Sequence, residues 1–208
     1  MYCDDPSNHG LAFDPFKAII TPRPIGWIST IDNNGTPNIA PYSFFNALSA
    51  SPHILMFSSE SYKHSADNAK QTGEFVFSLA TYDLQNQMNI TSDTVPAGEN
   101  EYVNAKLETA SCNKVKPPRV AASPASMECK VLSCEELKDL DGNPIDTFLT
   151  IGQVVAWHID DKYLRDGRFD TAAAQPLARC GYRDYAYVND VFEIMRPSDG
   201  GSYTGVDR

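Results

Sequence analysis

Apolar residues along this chain recur mostly in short runs with alternating polar positions, the period of strands, and only rarely at helical spacing. The first clear run is Arg23-Pro24-Ile25-Gly26-Trp27-Ile28-Ser29-Thr30-Ile31, which is β-rich and bounded by prolines and by the turn Asp32-Asn33-Asn34-Gly35. Asn34-Gly35 is a strong hairpin signal, because both residues accept the positive φ of a type I′ turn. The returning run, Asn38-Ile39-Ala40-Pro41-Tyr42-Ser43-Phe44-Phe45-Asn46, is interrupted by Pro41, Ser43 and Asn46. Proline there marks an edge, bulge or strand exit, where backbone groups stay free for a planar ligand.

Further strands are predicted at 53–58, apolar enough for burial on both faces, and at 74–80, 126–134 and 148–158, with Gly152 as a bulge. Helical signals fall at 65–73, 82–89 and 102–107. In the first of these Ser65 suits an N-cap, Asp67 a first turn and Gly73 the C′ position. The stretch 114–126 carries Pro117, Pro118 and Pro124 and reads as an extended arm, more suited to covering a partner than to building a core. Residues 1–21 form an irregular lead-in with a short element near 16–20. Residues 91–100 and 160–187 are loops, and 197–208 has the composition of a mobile tail. Several strands with short helices, and no alternation of strand and long helix, point to a closed antiparallel β-barrel over a doubly wound sheet.

Composition narrows the function classes. A chain of 208 residues fits one domain, 1–208, and a net charge of −10 argues against general nucleic-acid binding. Any anion must then be held by a local cluster. No apolar run approaches the roughly 18 residues of a membrane span, and Met1 to Pro6 lacks the basic start of a secretory signal, so a cytoplasmic protein is expected. Cys3, Cys112, Cys129, Cys134 and Cys180 are scattered, as for reduced, buried thiols, with no metal-ligand spacing. No G-x-G-x-x-G, Walker loop, nucleophile elbow or repeat occurs, and the Asn89-Ile90-Thr91 sequon is expected to stay unmodified.

Two places carry candidate chemistry. Lys63, with the hydroxyls of Ser61 and Ser65, gathers at a helix N-terminus, where free N–H groups and the helix dipole favour an anion. An ordinary capped helix with a solvated lysine is the competing reading. His158 ends the last strong strand, either as a proton donor or as a plain strand-end residue.

The series from Arg-Pro-Ile through Ser-Thr to Asn-x-Ala-Pro-x-Ser-Phe-Phe-Asn within 22–46 is joined by 101–106, Leu107-Glu108, 115–120, Glu128-Cys129, Ile151-Gly152-x-Val154-Val155, and Ala178-Arg179 through Asp184-Tyr185. In order and spacing this series resembles the flavin reductase-like family of FMN-binding split barrels, over about 16–187. The resemblance implies a mainly β (α+β) fold, a Greek-key antiparallel barrel with short flanking helices. It implies FMN held noncovalently at the barrel rim, across a homodimer. Ser29 and Thr30 match donors to the ribityl or phosphate region, and Ser43, Phe44 and Asn46 match the segment along the isoalloxazine. Lys63 and Ser65 match a phosphate site, with His64 where aspartate is commoner. Arg23 matches an arginine that pairs with phosphate or fixes its strand. Arg179 belongs to the late signature with Tyr185, and Tyr182 stands where a second glycine is frequent. The implied activity is hydride transfer from NADH or NADPH to FMN N5, then electron transfer to a flavin or protein acceptor. The alternative is a flavoredoxin-like electron carrier with no direct NAD(P)H use. An oxygenase component, or a domain that has lost FMN, is a third reading.

Overall fold

The computed structural model describes residues 2–93 and 100–195. The loop expected at 91–100 thus lies largely, and the tail at 197–208 wholly, outside the described residues. In chain order the strands are β1 (Arg23–Pro24), β2 (Gly26–Ile31), β3 (Pro37–Tyr42), β4 (Phe45–Ala50), β5 (His53–Glu60), β6 (Glu74–Leu79), β7 (Thr109–Ala110), β8 (Arg119–Val120), β9 (Ala125–Lys138), β10 (Pro144–Ile159), β11 (Leu164–Arg165), β12 (Arg168–Phe169), β13 (Leu177–Arg179) and β14 (Tyr185–Tyr187). The helices are α1 (Phe16–Ile19), α2 (His64–Thr72), α3 (Gln85–Ile90), α4 (Glu101–Asn104) and α5 (Thr171–Ala174). None is long and apolar enough to cross a membrane.

Seven strands form one antiparallel sheet in the order β3-β2-β6-β9-β10-β5-β4, and β1-β13-β14 form a second. The long row curls. Phe45 on β4 stacks on Phe77 of β6 at 4.8 Å between ring centres, and a side chain at Gly26 would run into the Phe45 ring. Gly26 is therefore needed where the two ends of the row meet. Gly152 likewise makes room for Phe75, and the β9–β10 register slips between Ile151 and Gly152, the bulge the sequence predicts.

β2 divides the core. Ile25 and Trp27 face a cluster with Ile39, Met88, Tyr102 and Val120, while Ile28 faces another with Phe57, Phe75, Phe77 and Cys129. This alternation is the pleat of a strand buried on both faces. Each fully buried phenylalanine among them stabilises the fold by about 1.5–3 kcal/mol.

Several local expectations are corrected. In the 32–36 turn only Gly35 takes a positive φ (+90°), while Asp32 Oδ1 accepts from the N–H groups of Asn34 and Thr36, so the turn is not type I′. Capping by Asp32 favours an ordinary turn followed by a left-handed glycine. β5 alternates buried Leu55, Phe57 and Ser59 with more exposed neighbours, so it is not covered on both faces. The N-cap of α2 is Lys63, and Ser65 lies inside the first turn, though Gly73 does take the left-handed C′ position. Of the cysteines only Cys129 is buried, and all five are free thiols.

The proline-rich arm folds on its own body. Val115, Pro117 and Val120 are buried, the Val120 N–H donates to Ser78 Oγ at 3.2 Å, and the Lys116 N–H donates to Glu74 Oε2 at 2.7 Å. Its hydrogen bonds run to side chains of β6 and β9, which a local reading of prolines cannot see.

Candidate functional site

Two clefts meet on the side of β3 that faces α2, α3 and α4. The first, about 230 Å³, is lined by Asn38, Tyr42, Lys63, Ser65, Asp93 and Glu101 among others. The second, about 560 Å³, is lined by Lys17, Arg23, Ser43, Asn89, Arg179 and Arg183 among others. They share Pro41 and Ser92 and so run into one another.

The floor of the first cleft follows from how three helices are fastened to β2. α2 lays Ala66 and Ala69 on the sheet, and its Asn68 Nδ2 donates to Thr30 Oγ1 at 3.2 Å. Trp27 Nε1 donates to Thr91 Oγ1 at 2.9 Å, and that hydroxyl donates to the Met88 carbonyl, which fixes the end of α3 and brings Ser92 and Asp93 to the rim. The Tyr102 hydroxyl meets Ser29 Oγ at 2.5 Å, and Asn100 caps α4 by accepting from the Tyr102 N–H. Glu101, next to that anchor, is thereby turned towards Asn38 and α2.

The anion-favouring end of this cleft is the start of α2, whose first-turn N–H groups have no preceding carbonyls to bind. Lys63 and Ser65 both line it, as the sequence predicts. Opposite stands Glu101, 6 % exposed, with Oε2 buried and without a partner among the described residues. Burial raises its pKa, outweighing its own N–H, that of Ile39 and the His64 ring, which all lower it. Tyr42, also desolvated, is shifted upward too.

The second cleft is cationic in a chain of net charge −10. Arg23 is 6 % exposed and its Nη1 donates to the carbonyls of Lys17, Ile20 (2.5 Å) and Cys180 (3.1 Å), tying α1 and the end of β13 to β1. Its Nε is buried without a partner among the described residues. Phe44 lies beneath this pair of cations, 5.5 Å from Lys17 Nζ and 6.0 Å from the Arg23 guanidinium. Arg179 Nη2 donates to the Tyr182 carbonyl at 2.6 Å and the guanidinium rests on the Tyr185 ring at 4.4 Å.

Arg23, Ser43, Lys63, Ser65 and Arg179 are thus brought to the two clefts, and Phe44 supports the second from behind. Ser29 and Thr30 are not at the surface of either: both are fully buried, engaged with Tyr102 and Asn68. Asn46 is exposed on the edge strand β4, its Oδ1 accepting from the Ala47 N–H. His158 lines neither cleft. Its Nε2 lies 2.6 Å from Glu128 Oε1, in a group with Cys112 whose ligand-type atoms lie within 4.8 Å of one another. Burial and the Glu128 charge push the Cys112 thiol up to about 12, which disfavours the thiolate that a metal requires.

Sequence reasoning missed Asn38, Asp93, Glu101, Lys17, Asn89 and Arg183 as cleft residues. Only Glu101 had a local signal, an acid directly after a helix-capping asparagine.

Comparison with known proteins agrees with this fold. The model of the flavin reductase like domain matches residues 19–178. A protein of Halalkalibacterium halodurans, itself uncharacterized, is 32% identical over 184 residues, 86% of this chain and 88% of that protein. The crystal structure of nitrilotriacetate monooxygenase component B from Bacillus cereus is similar with a TM-score of 0.84 and 27% identity, over 93% of this chain and 98% of that one. The flavoredoxin of Desulfovibrio vulgaris (Miyazaki F) shares the fold with a TM-score of 0.74 at 20% identity, over 86% of this chain and 93% of that one.

Proposed function

The chain belongs to the flavin reductase like domain family, and on that premise we propose that it is an FMN-binding oxidoreductase that takes hydride from NADH or NADPH and passes electrons to a flavin or protein acceptor. The observation that carries this reading is the junction of the two clefts: a helix start with Lys63 and Ser65 at one end, and a wider cationic space beyond Pro41 at the other. FMN is a phosphomonoester joined through a chain to a planar ring, and its two ends ask for those two environments. The combined space is of ordinary size for a small-molecule site.

In this reading the first turn of α2, the Lys63 ammonium and the Ser65 hydroxyl hold the phosphate. The Pro41–Ser43 exit from β3 offers backbone groups to the ring edge. Lys17, Arg23 and Arg179 give the second cleft a positive potential, which favours a ligand that gains electrons and negative charge. Bound there, FMN would supply the two-electron chemistry, and the protein position and field. Arg23 acts from a fixed place, since its carbonyl partners leave it little freedom.

The test is anaerobic stopped-flow reduction of the FMN-reconstituted protein by NADH and by NADPH, followed by its visible absorption. Rapid bleaching by either donor supports the reductase reading. Flavin that binds but is bleached by neither, while a reduced protein partner does so, leaves the electron-carrier alternative, a fold-level likeness to flavoredoxin. A protein that stays colourless with excess FMN defeats both.

A homodimer is proposed with it. Leu48 on the edge strand and Trp157 on β10, whose ring meets His53 at 5.1 Å, are exposed apolar groups on the strands at that end of the sheet. Light scattering that finds a monomer at micromolar concentration with FMN bound would overturn this.

A further inference from the structure

The link between Glu101 and Ser65 runs through the Asn38 amide. With Glu101 ionised, the Asn38 amide nitrogen donates to Glu101 Oε1 at 3.0 Å and its oxygen accepts from Ser65 Oγ at 2.9 Å. The same oxygen accepts from the Ile39 N–H at 3.2 Å, so three hydrogen bonds fix the amide and leave Glu101 Oε1 engaged.

Electrostatics couples a proton on Glu101 to an anion in the cleft. Glu101 lines the cleft that α2 opens into, and its Oε2 is buried without a partner among the described residues. An ionised carboxylate there repels an incoming dianion, whereas a neutral acid does not. The ionisable groups around it are Lys63 and His64 of α2, Tyr62 before it, Tyr42 of β3, Asp93 beyond α3 and Tyr102 of α4. Of these Asp93 adds further negative charge to the rim, while Lys63 and the His64 ring oppose it.

We propose that the first cleft takes up a phosphate monoester together with one proton, the proton residing on Glu101 at Oε2, the oxygen that Asn38 does not engage. The step balances as one solvent proton bound to a carboxylate, with no other bond made or broken. It rests on the reading that the FMN phosphate sits at α2.

The experiment is isothermal titration calorimetry of FMN, riboflavin and inorganic phosphate in buffers of different ionisation heat, on the wild type and on Glu101→Gln. Near neutral pH, wild-type protein takes up close to one proton per FMN or phosphate bound and none with riboflavin. Its Kd for FMN rises by up to about tenfold per pH unit on the alkaline side, the limit for one linked proton. Glu101→Gln binds FMN with the affinity that the wild type reaches at its acid limit, and loses both the proton uptake and that slope. Any trend from FMN's own second ionisation, near about pH 6, persists equally in the variant and so subtracts out. Equal proton uptake in both proteins, or none in the wild type with FMN bound, overturns the proposal and leaves the flavin reading standing. Proton-linked binding of inorganic phosphate without FMN binding does the reverse. If Glu101→Gln fails to fold, Glu101→Met, neutral and of similar length, takes its place as the reference, and a wild type that takes up no proton with FMN bound still overturns the proposal.

Discussion

Two buried glutamates, Glu101 on α4 beside β3 and Glu128 on β9, have been left in opposite states. Glu128 is fully buried, and its carboxylate accepts from the N–H groups of Asn113 (2.9 Å), Lys114 (2.6 Å) and Val115 (3.1 Å) and meets His158 Nε2 at 2.6 Å. Burial works to raise its pKa, but these hydrogen bonds and the histidine outweigh it and hold the carboxyl below its ordinary value. Glu101 is almost as buried, yet one oxygen has no partner among the described residues and its pKa is raised. The first carboxylate is a finished fastening for the proline-rich arm. The second is unfinished at the point where it meets a cleft, and an unmet buried polar atom is tolerated where a ligand completes it.

The largest effect expected from this contrast is on stability. Glu128→Ala strands three backbone N–H groups and the His158 ring, and should cost about 3–5 kcal/mol in urea unfolding, as for one partner of a buried pair removed. FMN affinity of the folded protein should not change. The wild type should also lose the Glu128 contribution in acid. Its folded pKa is depressed, so the unfolded chain binds the proton first and stability falls as pH drops below about 4.3 towards the folded value. A loss smaller than about 1 kcal/mol would mean that water replaces the carboxylate and that the arm is not fastened there.

Lys63→Ala comes next and acts on binding alone. The lysine is exposed at the helix start, so stability should hold. Removing a charge-assisted hydrogen bond of about 1.5–3 kcal/mol weakens FMN by roughly ten- to a hundredfold. Riboflavin, without the phosphate, should be unaffected. Equal weakening of both flavins in a fluorescence titration would move the phosphate away from α2.

What the sequence disclosed follows the range of the interactions. The place of Lys63 and Ser65 at a helix start was legible because a helix start is local: a lysine, small hydroxyls and a glycine nine residues after His64 say where N–H groups lie free. Strand positions were legible for the same reason, including the bulge at Gly152. The arm at 114–124 was misread because prolines describe the backbone but not the carboxylates of Glu74 and Glu128 that receive it. Ser29 shows the limit of matching a motif residue by residue. It stands in the family's Ser-Thr pair, but its hydroxyl is held by Tyr102 from a helix far along the chain. Whether a serine faces a ligand or a tyrosine is decided by that distant contact.

Ser29→Ala therefore separates motif from geometry, with a smaller effect. Loss of one buried hydrogen bond should cost about 1 kcal/mol in thermal or urea unfolding. FMN affinity should stay within error. A drop in affinity with stability unchanged would return Ser29 to the cofactor and displace Tyr102 as the partner that holds it.

The smallest expected effect is the reverse pH response of Glu101, read on the protein without flavin. Because its folded pKa is raised, the folded chain holds this proton more tightly than the unfolded one. As pH climbs above about 4.3, the ordinary glutamate value, the unfolded state releases its proton first and gains in relative stability, until the folded group ionises as well. Glu101→Gln carries no such proton. Its stability should match the wild type near pH 4, exceed it by a margin that grows as pH rises and level off once the folded group ionises, while Glu128→Ala shows its smallest deficit in acid and its largest near neutrality. Parallel urea titrations across that range test the pair together. If Glu101→Gln is instead less stable than the wild type at pH 8, the ionised carboxylate is a structural partner of Asn38. The two glutamates would then be two fastenings, and the contrast between them would be lost.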